Sequence, residues 1–240
     1  GMLSARLNTK LRELTPPLPA VPVGLPDHTA RTIAHFVDVA RVVVGLGSLK
    51  VFAFGPRPQD FYACNAPIKP LYDLGLEVME NSELDLVHLY RAAADRTDDI
   101  DAVVADMAKE LGEGNKRPDK LRQLAQFEVA LTQFFEENLG SRQYGVFANK
   151  CWPAFESEFG FVPCYVNSRL ATRGIPAACE VDMYGAVSEY IVQCAGQHPV
   201  AILDVNNTVP DDIDIADLKG AARPDLFMGF HCGNTASCLL

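Results

Sequence analysis

Leu49-Lys-Val-Phe-Ala-Phe-Gly55, followed at a distance by Leu76-Glu-Val-Met79, decides the class of this chain. Each run is short and apolar, and the first closes on a glycine backed by Pro56-Arg-Pro58, so both read as buried strands. Residues 66–74 between them suit a short helix. A strand, helix and strand of that size make a right-handed parallel crossover.

The same reading extends in both directions. Upstream, Asp27 or Thr29 can cap a helix in which Ile33, Phe36, Val37, Ala40, Val43 and Val44 recur at helical spacing until Gly45 and Gly47. Downstream, Ser82 opens a helix to about Asp95, and Asp98 or Asp99 opens another to Leu111. Leu121, Leu124, Phe127, Leu131, Phe134 and Phe135 then stripe a long helix that Gly140 ends. Tyr144–Ala148 is expected as a third strand, Ala178–Ala195 as a helix and Pro199–Asp204 as a fourth strand. This alternation predicts an α/β fold with a mostly parallel sheet flanked by helices. The expected organisation is a proline-rich lead-in over 1–26, an α/β domain over 27–197 and the beginning of a second domain over 198–240. The apolar run from Leu226 and the tail Cys238-Leu239-Leu240 predict a chain that continues in a longer protein.

Composition narrows the function classes. The 240 residues are 48% hydrophobic and 22% charged, with no run of 18 apolar residues, which excludes a membrane-spanning helix. Lys and Arg number 21 against 31 Asp and Glu, and a net charge of -10 argues against nucleic acid and anionic membranes as partners. Seven Cys with no CxxC pair read as reduced thiols in a cytoplasmic protein.

In a parallel α/β sheet, ligand sites lie beyond the carboxyl ends of the strands. That rule selects Lys150-Cys-Trp-Pro after the third strand, Glu180 at a helix start, Asp204 ending the fourth strand and His231 ending the last. Two carboxylates and an imidazole form a donor set suited to a divalent ion such as Mn²⁺. Each residue also has a plainer role: Glu180 as a favourable charge at a helix N-terminus, Asp204 as a turn cap, His231 as a core histidine. Trp152, the only tryptophan, is either core or a wall for a sugar ring. Cys179 reads as a small buried hydrophobe, and Gly45-Leu-Gly47 lacks the third glycine and the preceding strand of a dinucleotide fingerprint.

Ile175-Pro-Ala-Ala-Cys-Glu-Val-Asp-Met-Tyr-Gly-Ala186, Lys150-Cys-Trp-Pro153, Ile202-Leu-Asp204 and Phe230-His-Cys-Gly-Asn234 together resemble the L-fucose isomerase and L-arabinose isomerase superfamily. Lys50-Val-Phe-Ala-Phe-Gly-Pro-Arg-Pro58 resembles the opening of that family's middle, Rossmann-like domain. The resemblance implies a metal-dependent aldose-ketose isomerase, usually with Mn²⁺, working through an enediol. By position Glu180 and Asp204, 24 residues apart as in the family, would be metal ligands and the acid/base pair. His231 would be a third ligand or a pocket residue, and Trp152 and Asn206 would meet the substrate. A monosaccharide substrate and a homo-oligomer are further implications. Weak or absent activity is expected of these 240 residues alone, because the family's enclosing domain has no counterpart in them. A non-catalytic sugar-binding module and a metal-dependent epimerase are the competing classes.

Overall fold

The computed structural model describes residues 26–214, 220, 222–231 and 235–239. The proline-rich lead-in, all but Pro26, lies outside the described residues, as do Cys232, Gly233 and Asn234. The expected α/β architecture is present. Helix α1 spans Pro26–Gly47, strand β1 Leu49–Gly55, helix α2 Lys69–Asp73 and strand β2 Glu77–Ser82. Helices α3 (Glu83–Ala92), α4 (Thr97–Leu111) and α5 (Leu121–Asn138) follow, then β3 (Tyr144–Asn149). After α6 (Phe155–Phe159), α7 (Cys164–Thr172), β4 (Ala177–Ala178) and α8 (Met183–Gly196) come β5 (Asp204–Asn206) and β6 (Met228–Phe230).

Strands β1 to β4 form one parallel sheet in the order β2-β1-β3-β4. Alternation along the central strands builds two cores. Phe52, Phe54 and Phe147 point to one face, where Leu86, Ile100, Met107, Phe127, Leu131 and Leu170 cover them. Leu49, Val51, Ala53, Val146 and Ala148 point to the other, against Leu71 of α2 and Met183, Ala186, Val187 and Tyr190 of α8.

Local chemistry sets the element boundaries. Ser82 and Asp85 form a reciprocal capping box at the start of α3, with Ser82 Oγ accepting from Asp85 N at 3.2 Å and Asp85 Oδ2 accepting from Ser82 N at 2.7 Å. At the amino end of the sheet, Lys50 Nζ donates to Asn138 O at 2.7 Å and pairs with Glu77 Oε1 at 2.7 Å. Arg142 donates to Gly47 O and Gly75 O at 2.9 and 3.0 Å. Three helices are joined by a buried cation: Arg169 of α7 meets Glu128 of α5 at 2.7 Å and Asp106 of α4 at 2.6 Å, and also pairs with Glu110.

Three expectations are corrected. Residues 178–182 are not helical: Ala177–Ala178 completes the parallel sheet, and α8 starts at Met183 because Asp182 Oδ1 accepts from Gly185 N at 2.8 Å and caps it there. The fourth strand is therefore β4, and Pro199–Leu203 is irregular. Asp204 begins a short strand that pairs antiparallel with β6 in a separate sheet. Helices α6 and α7, which fill the space between β3 and β4, were not expected.

Candidate functional site at the carboxyl end of the sheet

From β1 the chain steps to β2 on one side and then returns to β3 on the other, so the topological switch lies between the carboxyl ends of β1 and β3. Gly55 and Asn149 mark those ends. The segment Cys179–Asp182 lies across them, with Val181 N donating to Asn149 O at 3.1 Å. A Cβ on Gly55 would stand 3.2 Å from Val181 Cγ2 and 3.1 Å from Arg57 N, so any larger residue would press on this loop.

Glu180 and Val181 are consecutive residues in the left-handed region, with φ of 58° and 52°. Such a conformation costs about 1–3 kcal/mol per non-glycine residue and is worst for a β-branched side chain. It is held by Asp182 N donating to Cys179 O at 3.0 Å and Met183 N donating to Val181 O at 2.9 Å. The result is a side chain turned into the sheet end. Cys151 Sγ donates to Glu180 Oε1 at 3.5 Å, while Glu180 Oε2 is buried without a hydrogen-bond partner. Burial pushes the Glu180 carboxyl above the ordinary carboxylate range, against the opposing pull of the Cys151 thiol, Lys150 and His231.

The neighbours extend this site. Hydrogen bonding to Cys179 pulls the Cys151 thiol below its ordinary value, against burial and the Glu180 charge. Burial, with Asp182, Glu180 and Asp204 nearby, pushes the Cys64 thiol up to about 11. His231, largely buried, places Nδ1 3.5 Å from Asp204 Oδ2 and keeps Nε2 buried and without a partner. Lys150 Nζ lies 3.4 Å from Glu83 Oε2.

The structure thus pairs Asp204 with His231 and sets His231 within electrostatic reach of Glu180. Trp152 is half exposed, precedes the cis-Pro153 and packs edge-on against Phe61 with ring centres 6.4 Å apart. Asn206 Oδ1 accepts from Thr208 N and Thr208 Oγ1 at 3.2 and 3.0 Å, which commits it to its own turn. Among the described residues no three His, Cys, Asp or Glu side chains converge as a metal site. Two orphaned donor atoms, Glu180 Oε2 and His231 Nε2, remain as the partial fit to a divalent ion. Cys64 was missed by sequence reasoning, since no local pattern brings a thiol 116 residues upstream of Glu180 to this end of the sheet. A cleft of about 760 Å³ lined by Arg41, Tyr144, Tyr190, Gln193 and His198 opens at the opposite, amino end. No described helix is long and apolar enough to cross a membrane.

No family model matches the sequence. Over 229 residues, covering 90% of this chain and 45% of the relative, it is 29% identical to a sulfoquinovose isomerase of Clostridium sp. (strain MSTE9). The identity is 28% over 183 residues to a sulfoquinovose isomerase of Alkalicoccus urumqiensis, covering 73% of this chain and 40% of the relative. A sulfoquinovose isomerase of Priestia megaterium is 24% identical over 174 residues, or 71% and 37% of the two chains. The chain spans less than half the length of these curated relatives, and its similarity is to proteins named as sugar isomerases.

Proposed function

We propose that this chain carries part of the active site of an aldose-ketose isomerase acting on a monosaccharide, with Glu180 as the group that moves the proton. The single observation behind this reading is the Glu180 carboxyl at the switch point of the sheet: half-buried, raised in pKa, with Oε2 buried and unpartnered. A carboxyl whose pKa is raised by burial is a stronger base than an exposed one, which suits it to accept a proton from carbon and return it. In the open-chain aldose it takes the proton from C2, leaving an enediolate; the O2 proton passes to O1, so that O1 becomes a hydroxyl and O2 the ketone oxygen, and Glu180 returns its proton to C1. The overall change moves two hydrogens and leaves the formula of the sugar unchanged.

The surrounding residues supply the rest. The Lys150 ammonium, close enough to act on Glu180, offsets developing negative charge. The exposed faces of Trp152 and Phe61 suit the apolar side of a sugar. Asp204 Oδ2 lies 3.5 Å from His231 Nδ1 and favours the ring orientation in which Nε2 is buried. A divalent ion such as Mn²⁺, the one the family resemblance implies, would stabilise the enediolate charge, with His231 Nε2 as an available donor. Sulfoquinovose, the sugar in the relatives' names, is the first substrate to test.

The test is solvent exchange in D₂O with sulfoquinovose, L-fucose and L-arabinose, comparing the chain with Glu180→Gln. Deuterium entering at the carbon next to the carbonyl, and lost by about 10²–10⁴-fold in the variant at unchanged circular dichroism, is the expected result. Equal exchange by the wild type and Glu180→Gln would overturn the assignment. Label with inversion at one carbon and no ketose would favour an epimerase.

A further inference from the structure

Strands β3 and β4 run parallel with Ala148 opposite Ala178, so the segments that leave them at the carboxyl end emerge side by side, one strand spacing of about 4.8 Å apart. Cys179 is the first residue after β4 and Cys151 the second after β3. The two thiols meet there: the Cys179 thiol donates a hydrogen bond to Cys151 Sγ, and Cys151 Sγ donates in turn to Glu180 Oε1 at 3.5 Å. The bond from Val181 N to Asn149 O, at 3.1 Å, fastens the two segments together beside this contact. Cys179 is 6% exposed, whereas Cys151 is half-buried and precedes the half-exposed Trp152. One sulfur is thus within reach of a small solute and the other is held behind it.

We propose that Cys151 and Cys179 form an oxidative modification site, at which hydrogen peroxide converts the pair of thiols into a reversible disulfide. The Cys151 sulfur attacks one peroxide oxygen, the O–O bond breaks, and the second oxygen leaves as water with the thiol proton, giving a sulfenic acid. The Cys179 sulfur then attacks that sulfur; the S–S bond forms, the S–O bond breaks, and the hydroxyl leaves as a second water with the Cys179 proton. Each sulfur is oxidised by one electron, and the peroxide is reduced to two waters. Contact between the thiols makes the second step intramolecular, which favours it over further oxidation of Cys151 or capture of an outside thiol. The disulfide removes the S–H that donates to Glu180 Oε1 and ties the segment after β3 to the left-handed turn at Glu180. This further consequence rests on the reading of Glu180 as the group that moves the proton: oxidation stops the isomerisation and reduction restores it.

Peptide mapping by mass spectrometry after peroxide treatment, with the remaining thiols blocked by N-ethylmaleimide, tests the site. Cys151 and Cys179 should become unavailable to the label together, about tenfold faster than the exposed Cys238, and appear as one linked peptide pair that dithiothreitol separates. Cys179→Ser should instead leave a sulfenic acid at Cys151 that dimedone captures. Because Cys179 is buried, circular dichroism checks that variant, and the wild-type map decides the question without it. Oxidation of the pair no faster than that of Cys238, or a link from Cys151 to Cys64 or to another chain, would overturn the proposal. The effect on Glu180 is read separately, by solvent exchange with the oxidised and the re-reduced chain. Exchange lost on oxidation and regained with dithiothreitol is expected, and equal exchange in both forms would overturn that consequence. A reduced chain that exchanges no deuterium counts against the role of Glu180 and leaves the disulfide to be decided by the peptide map.

Discussion

Replacing Glu189 by Gln should leave stability unchanged below about pH 4.5 and make the protein increasingly more stable from there to about pH 7 and above. Glu189 sits mid-way along α8, is buried, and accepts a hydrogen bond from Ile202 N at 3.1 Å through Oε1, while Oε2 has no partner. Burial, reinforced by Asp182 and opposed by the Ile202 amide, raises its pKa from 4.5 to about 7. Below both values the folded and unfolded chains each hold the proton, and the group contributes nothing to the pH dependence. As pH rises past the unfolded value, the unfolded chain releases its proton and the folded chain does not. Stability then falls by up to 1.36 kcal/mol per pH unit, reaching a deficit of about 3 kcal/mol once the pH passes about 7.

Gln keeps the acceptor for Ile202 N and removes the charge. The difference between the wild type and Glu189→Gln, measured by urea denaturation from about pH 4 to 8, isolates this residue from every other titrating group. The variant should gain about 3 kcal/mol at the alkaline end, or about 6–12 °C in Tm for a chain of this size. Parallel pH profiles for the two proteins would refute the reasoning. A profile in which the wild type is the more stable at high pH would mean that Glu189 is ionised and paired in the folded state.

Two further substitutions probe the site and its support. Gly55→Ala should push Val181 away from the end of β1, costing about 1–3 kcal/mol in chemical denaturation and lowering any Glu180-dependent exchange by more than the stability loss accounts for. Arg169→Met should destabilise by about 3–5 kcal/mol, because Glu128 is left buried with only the partly exposed Arg173, 2.6 Å away, as its counter-charge; adding Glu128→Gln should recover part of that loss, and a double variant no more stable than the single one would show that packing dominates.

The parallel sheet was legible because its signals are local. Leu49–Gly55 and Tyr144–Ala148 are unbroken apolar runs of strand length, and the α5 stripe from Leu121 to Phe135 leaves no other period to choose. The 150–183 region was harder to read. Its Ala, Cys, Met and Glu suit a helix, and a two-residue strand carries no periodic signal, so the composition around Ala178 pointed to the wrong element. Asp182 carried the usable signal, since a capping carboxylate directly before Met183-Tyr184 marks where a helix can begin. The expected fourth strand failed for a different reason: of the run Pro199–Asp204, Ile202 packs against the start of α8 near Gly185 while Leu203 is half exposed, so the apolar run does not mark a strand of the parallel sheet. Glu180, Asp204 and His231 were picked from their positions after apolar runs. Only the folded chain shows that Asp204 reaches His231 from β5 while Glu180 approaches from a left-handed turn.

The ties at the amino end of the sheet have a consequence for how this protein can vary. Lys50 and Arg142 fasten the starts of β1, β2 and β3 to the ends of α1 and α5, so the strands are registered at the end where no chemistry is proposed. The opposite end is then free to carry strained backbone and unpaired polar atoms without the strands drifting apart. Substitutions around Lys50 and Arg142 should therefore appear as changes in yield and melting temperature at constant substrate preference. Those in Arg57–Cys64 and Lys150–Pro153, and at Glu180, should alter preference at nearly constant melting temperature, which makes these positions the natural place for a library aimed at a new sugar.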